Sequence, residues 1–187
     1  MLESDRLLAP IRLAYASGRG VTARAVAEFI ARVDPEICAV AGIDAGDAFA
    51  LATRFDRQWG YRGAQALFWQ TPFRAREVHD RYLRSAALRP FDRRGLLLVD
   101  GEYGGHPLSI IATQFGIARD AYVREARFTR HQLRERARFV LFAHHPKMRV
   151  DLRGRDIEEL GRDERHDLHV YVRGADVADF AVTFVEP

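Results

Sequence analysis

Residues 137–146 read ARFVLFAHHP. The run Phe139, Val140, Leu141 and Phe142 has no polar alternation, which is the pattern of a strand covered on both faces. It passes straight into His144, His145 and Pro146, and a proline ends a strand because it has no N–H to donate. Neighbouring side chains in a strand point to opposite faces, so His144 and His145 do not share one ion. They read as the polar exit of a buried strand. The competing reading makes them the rim of an active site that holds a metal.

Outward from this stretch, strands and helices alternate. On its N-terminal side, residues 118–137 have helical periodicity, with Tyr122, Ala126, Leu133 and Ala137 expected to face the sheets. Further back lie strand-like runs at 64–70, 94–103 and 107–115, the last two joined through GEYGG, whose glycines suit a hairpin. The chain begins with a strand at Ile11 to Ala16 and a Gly-rich turn, then a helix opening at Thr22, a good N-cap type. Val26, Phe29, Ile30 and Val33 share one face of that helix. An apolar strand follows at Glu36 to Ile43, and a second helix sets Ala48, Leu51, Ala52 and Phe55 on one face. On the C-terminal side, 149–165 reads as a polar loop, and 168–173 with 177–186 as a closing hairpin. Strands that occur in both βα units and hairpins imply an α+β fold with mixed sheets and outer helices.

The chain has 187 residues, 48% hydrophobic and 29% charged. That length suits a single domain over 1–187, and no apolar run approaches the roughly 20 residues of a membrane span. The start, MLESDRLLAP, has acidic residues and no long apolar centre, so a cytoplasmic location is expected. Cys38 is the only cysteine and sits in EICAVAGI, an inert buried thiol by its surroundings. Lys147 is the only lysine among 29 basic residues, and arginine's planar fork suits carboxylate or phosphate. The sequence contains no asparagine.

With its elements in this order, the sequence resembles the endonuclease/exonuclease/phosphatase superfamily, metal-dependent phosphodiesterases built as a four-layer α/β sandwich. The resemblance runs from IRLAYASGRG to LHVYVRGADVADFAVTFVEP. It implies two mixed sheets packed face to face with helices outside. It also implies a shortened form, because the family's last Ser-Asp-His motif has no counterpart before Pro187. Against the family's Tyr-Asn, AYAS keeps Tyr15 and has Ala16 in the Asn place; against Leu-Gln-Glu, Gly42 stands for the metal-binding Glu. Ala112 and Gln114 replace the Asn and His of Asn-Thr-His-Leu. His144 and Pro146 replace the Asp and Asn of Gly-Asp-x-Asn. Leu168 takes the Asp place before His169, with Asp167 one residue away, and in a strand one residue is a change of face.

Phosphodiester hydrolysis on a hard cation needs oxygen ligands and a base. Gly42 has no side chain, Leu168 is apolar, and a chain without asparagine cannot restore either Asn under any alignment. The sequence therefore implies a scaffold that has lost its catalytic residues and cofactor, a non-catalytic interaction or structural subunit. The alternative is a phosphoesterase or nuclease with a rebuilt site around Asp44, His144 or His169. Against it, Asp44 and Asp47 read as the start of the second helix. His166 and His169 are split across faces by their spacing, and His79, His106 and His131 lie in polar or turn surroundings. For a working surface, Arg124, Arg127, Arg130, Arg134 and Arg138 recur at spacings of three and four, a helical stripe. It is either a solvated face or a cationic patch for an acidic protein, nucleic acid or anionic lipid. Glu125 and Glu135 interrupt it.

Overall fold

The computed structural model describes residues 10–17, 22–82, 95–115, 119–145, 152 and 156–184. In chain order these form β1 (Ile11–Ser17), α1 (Ala23–Val33), β2 (Ile37–Ala41), α2 (Ala45–Arg54), β3 (Gln58–Arg62), β4 (Gln65–Trp69) and β5 (Phe73–Tyr82). Then come β6 (Gly95–Tyr103), β7 (His106–Gln114), α3 (Arg119–Arg134), β8 (Phe139–His144), β9 (Glu158–Asp163), β10 (Leu168–Arg173) and β11 (Phe180–Phe184). Pro146 lies outside the described residues.

Two mixed sheets result. The first, sheet A, has the order β11-β1-β2-β4-β3, and the second, sheet B, has β5-β6-β7-β8-β10-β9. Strand alternation sorts their side chains into three layers. Leu13 and Tyr15 of β1, Ala39 of β2 and Leu67 of β4 meet Leu97, Ile110, Phe142 and Val170 of sheet B in the inter-sheet core. There Tyr15 sets its ring edge-on to Phe142 at 5.3 Å, a favoured aromatic geometry. On the far side of sheet A, Ala14, Ala16, Val40 and Phe68 pack against Val26, Phe29 and Ile30 of α1 and Leu51 of α2. On the far side of sheet B, Leu98, Ile111 and Leu141 pack against Tyr122, Ala126 and Leu133 of α3. The four-layer α+β sandwich expected from the sequence is the observed architecture.

The helices form where the sequence placed them for the reasons it offered. Thr22 caps α1, its hydroxyl accepting from the Ala25 N–H, and Asp44 caps α2, its carboxylate accepting from the Asp47 N–H. Gly104 and Gly105, at φ 58° and 84°, make the β6–β7 turn, a backbone path that favours glycine.

Several expectations are corrected. β10 and β11 do not form a hairpin: β10 pairs with β8 and β9 in sheet B, whereas β11 crosses to sheet A and runs parallel to β1. The region read as a polar loop contains β9. β3 and β5 had no counterpart in the sequence reading. α3 stops at Arg134, so Ala137 is exposed and Arg138 belongs to the approach to β8 rather than to the helical stripe. His79 lies within β5, and not in a turn.

Candidate functional site

At one end of the sandwich the two sheets each present a row of side chains to the other. In sheet A, strand pairing aligns Ser17 with Ala41, Ala41 with Gln65, and Gln65 with Arg62. In sheet B it aligns Gln114 with His144, His144 with Leu168, and Leu168 with Asp163. Each residue lies two positions beyond one that faces the inter-sheet core or opposite one that does, so both rows point inward. We term this end the mouth.

Within it, Ser17, Gln65 and His144 are buried. One step deeper, the Tyr15 hydroxyl makes no hydrogen bond, and neither does the amide oxygen or nitrogen of Gln65. Burial pushes the Tyr15 phenol far above its ordinary value. Polar atoms left unpaired at this depth are where proteins hold ordered water or a ligand, and the small side chains of Ala39 and Ala41 lie beside them. The rows hold one carboxylate, that of Asp163 at the outer edge of β9. It accepts a hydrogen bond from the Arg165 backbone at 2.9 Å and sits 2.6 Å from Nδ1 of His166.

The positions that the resemblance marked are thereby located. β2 ends at Ala41, and Gly42 turns away at φ 79° with its N–H bonded to Ala64. A side chain there would meet a strained backbone. Ala16 points to the helix layer, not the mouth, and Ser17 takes the inward position. Ala112 lies in the inter-sheet core and Leu168 is fully buried there. Gln114 and His144 reach the mouth side by side. His169 does not: it faces the opposite side of sheet B, where its Nδ1 lies 2.7 Å from Glu159. Asp44 stays exposed as the α2 cap, so Asp44, His144 and His169 do not converge. Among the described residues no group of three or more His, Cys, Asp or Glu side chains is placed to hold a metal ion. Besides the engaged carboxylate of Asp163, the described residues of the mouth offer hydroxyl, amide, imidazole and guanidinium groups, which hydrogen-bond well but are a poor set for a hard cation.

A second polar cluster, missed from the sequence, lies beneath α3. The His145 ring stacks on Phe115 at 4.8 Å and meets His169 edge-on at 4.8 Å. Its Nδ1 is 3.1 Å from the Tyr122 hydroxyl. His144 and His145 thus do face opposite ways, and one partner of His145, His169, comes from β10, a contact visible only once the β8–β10 register is known.

A third cluster centres on Asp100, at the end opposite the mouth. Arg136 grips both its oxygens at 3.1 and 2.9 Å, Ser109 donates to it, and His79 lies 3.5 Å away. Burial would raise this carboxyl, but the bonds from Arg136 and Ser109 outweigh that and hold it below the usual carboxylate range.

The arginine stripe is partly as expected. Arg124, Arg127, Arg130 and Arg134 are exposed on α3. Glu125, expected to interrupt them, is buried at 1% exposure, which leaves Glu135 as the acidic residue at the end of the exposed face. Arg138 is mostly buried beside Asp179.

Comparison with known proteins is informative at the level of structure alone. No protein-family model and no curated protein matches the sequence. Among solved structures, a D. rerio TDP2 humanized by 14 mutations superposes with a TM-score of 0.69 at 11% identity, over 87% of this chain and 83% of that one. The Bacteroides thetaiotaomicron mannosyl-6-phosphatase gives 0.67 at 13% identity, over 86% and 84%. A Bacteroides vulgatus endonuclease/exonuclease/phosphatase gives 0.67 at 11%, over 87% and 85%. Two sheets packed face to face, helices outside and these neighbours together give the chain the fold of the endonuclease/exonuclease/phosphatase proteins.

Proposed function

We propose that this chain is a non-catalytic protein on a phosphodiesterase-like scaffold, acting as an interaction or structural subunit of a larger, cytoplasmic assembly. The observation that carries the reading is the composition of the mouth. Across eight aligned positions, from Ser17 to Arg62 and from Gln114 to Asp163, one carboxylate is present, and it is engaged by His166 and a backbone N–H. Hydrolysis assisted by Mg²⁺ needs oxygen ligands for the ion and a free base for the water. The groups present can bind a polar or anionic molecule without cleaving it. The exposed arginines of α3 supply a cationic face for a partner.

A rebuilt hydrolytic site is the competing reading, and the Asp163–His166 pair at the edge of the mouth is what favours it. Purified full chain titrated with Mg²⁺ and Mn²⁺ against bis(p-nitrophenyl) phosphate and p-nitrophenyl phosphate separates the two. The expected result is no turnover above background. Metal-dependent turnover abolished by Asp163→Ala or Asp44→Ala would reject the non-catalytic reading.

A further inference from the structure

Opposite the mouth, the β6–β7 hairpin and the turn from α3 into β8 border an open cavity of about 670 Å³ lined by Arg76, Asp100, Ser109, Glu135, Arg136 and Arg138, among others. That volume falls within the range of small-ligand sites. Its three arginines differ in how far their hydrogen-bonding capacity is used. Arg136 is occupied: two bonds go to Asp100 and a third, at 2.7 Å, to the Gln132 carbonyl. Arg76 bonds to Glu102, and its side chain is 70% exposed, so water serves its other donors.

Arg138 is the exception. Its side chain is only 18% exposed, its Nε makes no hydrogen bond, and its ion pair with Asp179 is a loose one at 3.7 Å, beyond hydrogen-bond reach. A guanidinium has five N–H donors and no acceptor. No described hydrogen bond uses the terminal N–H groups of Arg138, which lines the cavity, so they are open to an incoming oxygen there. A carboxylate or phosphate matches the planar fork. The cavity's own acids set the limits. The Asp100 carboxylate is already engaged by Arg136 and Ser109. Glu135 is exposed at the rim, which favours a small anion over a long polyanion.

We propose that this cavity is a binding site for a small oxyanion, a carboxylate or phosphate group, held by Arg138 with Arg76 and His106 at the rim. The site shares no residue with the mouth, so it stands whether or not the mouth is catalytic.

The test uses isotope-labelled full chain and NMR of the arginine Nε–H groups and the Ser109 and Gly174 amides, titrated with inorganic phosphate and, separately, malonate. Saturable shifts at these resonances with either anion support the proposal, and whichever binds tighter identifies the ligand as phosphoryl or carboxylate. Arg138→Gln should weaken binding about tenfold or more, the worth of a charge-assisted hydrogen bond, and Arg76→Gln by less. Should Arg138→Gln fail to fold, Arg138→Lys keeps the charge, lacks the fork, and should weaken binding as well. No saturable shift up to about 10 mM of either anion, shifts confined to the mouth, or unchanged affinity in the folded Arg138 variant would each overturn it.

Discussion

Under α1 and α2, sheet A buries Ala14, Ala16, Cys38, Val40, Ala66 and Phe68. Under α3, sheet B buries apolar residues too, but this layer includes His145 and His169 and, on the helix itself, Tyr122, Glu125 and Thr129. The apolar layer is held by burial, which has no direction and tolerates repacking when volume is kept. The polar layer is held by particular distances, Glu159 to His169 and Tyr122 to His145. Each such group is costly to strand without its partner. Sheet A's cover supplies bulk stability, whereas sheet B's cover fixes one geometry.

The largest effect that would break this contrast is expected at Phe68. It is fully buried in the apolar layer, and Phe68→Ala should lower unfolding free energy by about 3–5 kcal/mol, read by urea denaturation. On the polar side, Glu159→Ala strands the His169 ring and should remove about 1–3 kcal/mol, with Glu159→Gln restoring part of it. If Glu159→Ala exceeded Phe68→Ala, the division of labour would be reversed.

Asp100, also on the helix-facing side of sheet B, sharpens the comparison through pH. Its folded pKa is depressed, so its stabilising contribution is present above its unfolded value of about 3.9 and is lost as pH falls through the lower folded value. Asp100→Asn should therefore be less stable than the parent at neutral pH, and the difference should shrink below about pH 4. A gap that stays constant across that range would show that Arg136 and Ser109 do not favour the ionised carboxylate. The smallest effect belongs to the outer surface of α3: Arg127→Gln and Arg134→Gln should each change stability by less than about 0.5 kcal/mol. A larger loss would mean that these exposed arginines pack.

What the sequence revealed follows from where apolar residues are obligatory. β1, β2, β4 and the strands from β6 to β8 are central, covered on both faces, and stand out as apolar runs. The three strands that went unread, β3, β5 and β9, are all sheet edges. QWGYR, FRAREVHDRY and EELGRD are mixed or charged, because an edge has one neighbour, a wet side, and reason to carry charge against further pairing. β11 was legible as a strand, but no local feature says that it leaves the hairpin to join β1. That Gly42 and Leu168 stand where the resemblance implies Glu and Asp could be read from the residues alone. The inward place of Ser17 and the carboxylate of Asp163 in the mouth could not, since both depend on register. For the same reason His145 and His169, 24 positions apart in the chain, gave no local sign of touching.

Cys38 sits in β2 with no solvent exposure, and burial pushes its thiol up to about 12. A reagent that attacks thiolates can reach it only when sheet A parts from α1 and α2. Being the sole sulfhydryl, it is a native stopwatch: its labelling rate in the folded protein reports how often the apolar layer opens, with no engineered reporter required.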